Sequence, residues 1–167
     1  MKVTPLSNVM GAEVTGVDLS HPLSPSDRQQ LYQAFLDHLL LCVRDQKYSD
    51  IGVFLDAARN FGEPKVQHLE SYRSDKNPEA GVVSSEDRDV KDGKRIIRGT
   101  MFHTDESFIA APPKATVLYA VQIPGRGGNT RYVNMRMTYE ALDPGTKAEI
   151  ENLTAIHYYG KKREGRK

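Results

Sequence analysis

HTDESFIAAPPKATVLYAVQIPGRGGNT, residues 103–130, packs a His-x-Asp pair, a Pro-Pro step, an apolar run and a glycine turn into one stretch. Residues 96–108 have strand character, and 115–123 form a clear apolar strand with β-branched and aromatic residues. Pro124-Gly125-Arg126-Gly127-Gly128 is a turn, after which 130–134 reads as a further strand. On a strand, side chains two apart point to the same side, so the imidazole of His103 and the carboxylate of Asp105 converge. Their Cα atoms would stand roughly 6–7 Å apart at about 3.3 Å per residue, close enough for both side chains to reach one metal ion. One histidine and one carboxylate are two members of the facial triad of non-haem Fe(II) oxygenases, which leaves positions open for a chelating keto acid and for O2. A His-x-Asp pair taken alone is equally a surface strand pair, and its context has to decide.

Working outward, Asp92-Gly93 is a hairpin-turn signal and 81–84 a short strand. Upstream, Ser24 or Ser26 can cap a helix with Pro25 in its first turn, and Leu31, Ala34, Phe35 and His38 recur at helical spacing, which predicts a helix over 25–38. The apolar run 39–43 predicts a buried strand. Ile51, Phe54, Leu55 and Ala58 share one face of a helix over about 50–60, stopped at Phe61-Gly62. The opening residues, around Val3 and over 13–19, read as short strands. On the other side, 137–142 and 146–152 are helical and 153–157 is a last strand candidate. Short strands with Gly and Pro turns plus a few helices predict an α+β protein built on a β-sandwich or barrel, with no βαβ rhythm and no glycine-rich nucleotide fingerprint.

The ordered series resembles the taurine dioxygenase (TauD/TfdA) family, in which a His-Thr-Asp is followed by Phe, a Pro-Pro, a strand and a Gly-Gly-Asp-Thr turn. The resemblance extends to Gly11-Ala12-Glu13-Val14-Thr15-Gly16-Val17-Asp18-Leu19, Val43-Arg44-Asp45-Gln46, Phe61-Gly62-Glu63 and Met137-Thr138-Tyr139-Glu140-Ala141-Leu142. It implies a partial double-stranded β-helix, jelly-roll-like, with flanking helices, over one domain at 1–160 followed by a basic tail at 161–167. It further implies Fe(II)- and 2-oxoglutarate-dependent hydroxylation of a small organic substrate by O2, with a sulfonate or another small anion among the candidates. His103 and Asp105 would be the iron ligands and Thr130 would bind the 2-oxoglutarate carboxylate; without the motif, Thr130 is an ordinary β-branched strand residue. His68 and Tyr72 resemble a substrate-lining His and Tyr, and otherwise read as amphipathic loop residues.

Phe102 stands where taurine dioxygenase has Trp, and Gly99 where it has a substrate-binding Asn, which argues against taurine itself. The family's distal ligand His and its carboxylate-pairing Arg lie in the second half of the fold, beyond residue 167. His157 matches neither role. The expectation is therefore an N-terminal part that is a poor enzyme by itself, with a truncated non-catalytic member as the alternative.

Composition sets the remaining bounds. With 167 residues, 23 basic and 22 acidic, the net charge of +1 offers no general field for nucleic acid or an anionic membrane. Cys42 is the only cysteine, in an apolar run where an inert buried thiol is expected, as in a reducing compartment. No apolar run has the length of a membrane span, and the N-terminus lacks a signal-peptide core. The expected protein is cytoplasmic, binds a small molecule and O2 rather than nucleic acid or membrane, and is compatible with a homo-oligomer.

Overall fold

The structure is a computed structural model that describes residues 1–68, 70, 73–89, 91–95, 99 and 101–159. The basic tail at 161–167 lies outside the described residues. A three-stranded sheet opens the chain: β1 (Lys2–Pro5), β2 (Ala12–Thr15) and β3 (Leu41–Val43), in the order β1-β2-β3. β1 and β2 run antiparallel with Val3 opposite Val14, and β2 and β3 run parallel with Val14 opposite Val43. A parallel pair needs a crossover, and helix α1 (Pro25–His38) supplies it.

Helix α1 begins where the sequence placed it. Ser24 accepts a hydrogen bond from the Asp27 amide and Pro25 occupies the first turn, so an otherwise unpaired helix N–H is satisfied. It ends at Leu39, whose left-handed φ of 64° turns the chain into β3 while its N–H bonds the Phe35 carbonyl at 2.8 Å. That cap is why the strand starts at Leu41 rather than at residue 39. Helix α2 (Ile51–Ala58) is capped by Asp50, which accepts from the Val53 amide. That bond, with help from the Ser49 hydroxyl, holds the Asp50 carboxyl below its usual range.

The core sits where α1 and α2 meet the sheet. Val14, Leu19, Leu31 and Ala57 are buried together, and Val3, Leu41, Val43, Tyr48 and Phe61 pack around them. The Gln46 side chain seals the rim: its Oε1 accepts from the Leu19 amide and its Nε2 donates to the Val17 carbonyl, both at 2.8 Å. Cys42 lies on β3 and is half-buried rather than buried.

Two short helices close the described chain, α3 (Met135–Glu140) and α4 (Pro144–Ile150). Each starts two residues before the sequence-based range. Asn134 and Asp143 act as caps, accepting from the Met137 and Thr146 amides respectively.

The strands expected at 115–123, 130–134 and 153–157 are not formed among the described residues, and 81–84 contributes only a bridge between Gly81 and Arg73. Within 96–108, residues 101–108 form bends and turns, and residues 96–98 and 100 lie outside the described residues. The hairpin signal at Asp92-Gly93 does appear, as an Arg88–Arg95 bridge with Gly93 at φ 67°. The physical reason for the missing strands is one of partners. A strand is defined by ladder hydrogen bonds to a neighbour. No neighbouring strand lies beside 115–134 among the described residues, and apolar side chains there stay exposed, Val121 to 85%. The described residues thus form a mixed α/β structure with one small sheet, and the expected jelly roll is not seen in them.

Side chains fasten the segment 101–134 to the N-terminal layer. The Tyr119 ring lies 4.8 Å from Tyr48 and 6.0 Å from Phe54. Burial raises the pKa of the Tyr48 phenol, with Tyr119 and Asp18 adding to the shift. Lys114 Nζ sits 5.3 Å above the Tyr32 ring, and Asn134 Nδ2 donates to the Val9 carbonyl at 2.8 Å. No helix among the described residues is long and apolar enough to cross a membrane.

Candidate metal centre

His103 and Asp105 converge without a regular strand beneath them. Their side chains approach with Nε2 3.2 Å from Oδ1, on a face where the imidazole is 59% and the carboxylate 47% exposed. His103 Nδ1 lies 2.9 Å from the Met101 carbonyl. A carbonyl oxygen can only accept, so Nδ1 carries a proton and Nε2 is the ring nitrogen turned to Asp105. A ring nitrogen and a carboxylate oxygen at this distance are joined by a proton or by a cation between them.

The spacing fits a cation. Donors bound side by side to one ion at roughly 2.1 Å are separated by about 3 Å, close to the distance observed. An imidazole nitrogen with a carboxylate oxygen suits a borderline divalent metal such as iron(II). Among the described residues there is no group of three or more His, Cys, Asp or Glu able to hold a metal, so the pair stands alone there.

Neighbouring residues set the pair's shape. The Thr116 hydroxyl donates to Asp105 Oδ2 at 2.6 Å, taking the carboxylate oxygen that faces away from His103. A threonine in an apolar run is what a strand contains anyway, so nothing local in the sequence singles out Thr116. Directly after the pair, Glu106 adopts φ 47°. A left-handed non-glycine residue is uncommon and marks a turn held by its surroundings. Here Lys65 Nζ grips Glu106 Oε2 at 3.0 Å, and the Ile109 amide bonds the Glu106 carbonyl at 3.2 Å. This turn is why 101–108 could not continue as the strand its composition suggests.

The other sequence-derived site residues are placed as follows. His68 packs its ring 5.3 Å from Phe108 and 5.5 Å from Tyr159, and those two rings are 5.0 Å apart. Phe108 follows the pair by three residues, so this aromatic cluster belongs to the same stretch of chain. Tyr72 lies outside the described residues. Thr130 is exposed just after the glycine turn, and no hydrogen bond among the described residues joins it to His103 or Asp105. Gly128 in that turn has φ 73°, which favours glycine, and a Cβ there would stand a tight 3.1 Å from Pro124 Cγ. His157 shares a 2.8 Å hydrogen bond with Ser107 Oγ, and no hydrogen bond or ion pair among the described residues joins it to the pair.

Comparison with known proteins identifies the chain's family. The family model "Taurine catabolism dioxygenase TauD, TfdA family" matches residues 2–167. The chain is 32% identical over 156 residues to an (S)-phenoxypropionate/alpha-ketoglutarate-dioxygenase of Sphingobium herbicidovorans, covering 93% of this chain and 52% of that protein. It is 30% identical over 158 residues to an alpha-ketoglutarate-dependent sulfate ester dioxygenase of Pseudomonas putida, covering 94% and 49%. Among solved structures, a taurine dioxygenase from Burkholderia xenovorans superposes with a TM-score of 0.75 at 31% identity, over 90% of this chain and 51% of that one. AAD-2 in complex with Mn(II) and N-oxalylglycine gives a TM-score of 0.62 at 27% identity, over 90% and 50%. The chain spans about half the length of the curated relatives it matches.

Proposed function

This chain belongs to the taurine catabolism dioxygenase TauD, TfdA family, and on that premise we propose that it forms the metal- and keto-acid-binding part of an Fe(II)- and 2-oxoglutarate-dependent dioxygenase acting on a small organic substrate. The observation that carries the reading is the His103 Nε2–Asp105 Oδ1 pair at 3.2 Å, with its imidazole tautomer set by the Met101 carbonyl. When bound, iron(II) supplies the oxidation, in which O2 and 2-oxoglutarate are consumed, succinate and CO2 are released and the substrate is hydroxylated. The chain's own residues hold and orient. His103 offers Nε2, Asp105 offers Oδ1, and Thr130 offers a hydroxyl to a carboxylate of the keto acid.

His68, with Phe108 and Tyr159, forms an aromatic wall for the substrate, and Tyr72 is assigned to substrate binding by family resemblance alone. A small anionic compound, a sulfonate or sulfate ester or an aryloxy acid, is the substrate class that the named relatives support. The Mn(II) and N-oxalylglycine of AAD-2 support the cofactor assignment, since an oxalyl group carries the same adjacent carbonyl and carboxylate as 2-oxoglutarate. Residues 115–123 and 130–134 are read as jelly-roll strands whose partners are not among the described residues.

Thr130→Val tests the keto-acid assignment. One hydrogen bond is worth about 0.5–1.5 kcal/mol net, so calorimetric titration with 2-oxoglutarate in the presence of Mn(II) should show affinity reduced about threefold to tenfold. Unchanged affinity removes Thr130 from the site.

A second reading, a non-catalytic family member, is favoured by the absence of a three-residue ligand group among the described residues. Succinate formation by the 167-residue protein with Fe(II), 2-oxoglutarate, O2 and ascorbate separates the two. Two ligands hold iron weakly, so turnover is expected to be slight. Robust turnover that vanishes in His103→Ala shows instead that the remaining ligand is supplied within or between these chains.

A further inference from the structure

We propose that Thr116 is a positioning residue that holds Asp105 to one-oxygen coordination and so keeps the remaining metal positions open. The inference rests on the metal-site reading above. Thr116 Oγ1 lies 2.6 Å from Asp105 Oδ2, while Asp105 Oδ1 is the oxygen 3.2 Å from His103 Nε2. A hydroxyl hydrogen bonded to a carboxylate at this distance is a short, charge-assisted contact. It assigns the two oxygens different tasks, Oδ1 to the ion and Oδ2 to the protein.

Without that bond the carboxylate can rotate and chelate through both oxygens. Chelation would fill one of the positions that a bidentate keto acid and O2 have to share. The same pattern holds at His103, where Met101 occupies the nitrogen not meant for the metal. Each ligand is therefore restrained at the atom that faces away from the ion, which is how outer partners orient metal ligands in general. The two restraints have different origins. Met101 contributes a main-chain oxygen from two residues upstream, which no substitution removes. Thr116 contributes a side chain from eleven residues downstream, across the Pro112-Pro113 step. Its hydroxyl can be deleted without disturbing the backbone, and its exposed position keeps that change out of the core.

The test uses the full chain and Mn(II) as the probe. Thr116→Val keeps the shape and loses the hydroxyl, whereas Thr116→Ser keeps the hydroxyl and loses the methyl. Affinity is read from the loss of the free Mn(II) resonance, and the coordination mode from the splitting of the carboxylate stretches in metal-minus-apo infrared spectra. Thr116→Val is expected to bind Mn(II) about 10-fold more weakly, with a narrower splitting that signals two-oxygen binding. Thr116→Ser is expected to match the wild type in both, with far-UV circular dichroism unchanged throughout. Wild-type affinity and splitting in Thr116→Val overturn the proposal, as does a Thr116→Ser variant that behaves like Thr116→Val. Wild-type binding no tighter than that of His103→Ala overturns the metal-site reading itself, and the role of Thr116 falls with it.

Discussion

Asp105→Ala is expected to weaken divalent-metal binding by about 100-fold or more, equivalent to roughly 2.8 kcal/mol at 1.4 kcal/mol per decade. Among the described residues Asp105 is the carboxylate paired with His103 Nε2, so its removal takes away both a donor atom and the negative charge that attracts the ion. An imidazole alone, more than half exposed to water, competes poorly with the ion's own hydration. The loss should be larger than for Thr116→Val, because one variant deletes a ligand and the other only frees it to move. Asp105→Glu moves the carboxylate by one methylene, out of register with the Thr116 hydroxyl, and should fall between wild type and Asp105→Ala. The side chain is exposed and outside the core cluster, so the thermal unfolding midpoint should shift little. Mn(II) titration followed by resonance, alongside thermal melts, gives both quantities. A metal affinity within twofold of wild type in Asp105→Ala would mean that the ion, if bound at all, sits elsewhere.

What could be read in the sequence was what depends on nearby residues. Helix α1 was legible from Ser24, Pro25 and the spacing of Leu31, Ala34 and Phe35, because caps and helical periodicity are local signals. Helix α2 was legible for the same reason, although it ends at Ala58, capped at Arg59, and turn residues lead from there to the expected stop at Phe61-Gly62. The convergence of His103 and Asp105 was also anticipated, though from the wrong geometry. A strand was to bring them together, and a turn does, held by the left-handed Glu106 and its Lys65 partner 41 residues away.

Strand formation at 115–123 could not be settled by local sequence. Its residues have the right composition, but a ladder is a property of two segments, and composition describes one. The same limit hid Thr116. Its contact with Asp105 spans eleven residues across a Pro-Pro step, and nothing in a single threonine announces a hydrogen bond of that length. His68 was noticed from family resemblance, while its packing against Tyr159, at the far end of the described chain, was not.

Leu31→Ala is expected to destabilise the protein by about 3 kcal/mol, within the 2–5 kcal/mol found for buried leucines. Leu31 and Val14 are the largest fully buried side chains, and of the remaining buried hydrophobic residues most are alanines. A core with so few large side chains has little surplus to offset a cavity, and small domains hold only about 5–15 kcal/mol in total. Leu31 also sits beside Tyr32, which carries Lys114, and shares its cluster with Tyr48, which carries Tyr119. The segment bearing Thr116 thus rests on the same layer that the leucine stabilises. Urea unfolding should show a lower midpoint for Leu31→Ala with the slope unchanged. Leu36→Ala, five residues on but 44% exposed, should cost well under half as much. The metal affinity of folded Leu31→Ala should stay near that of wild type, because the leucine touches neither ligand. A Leu31→Ala variant within about 1 kcal/mol of wild type would place the main source of stability outside the α1–α2 layer.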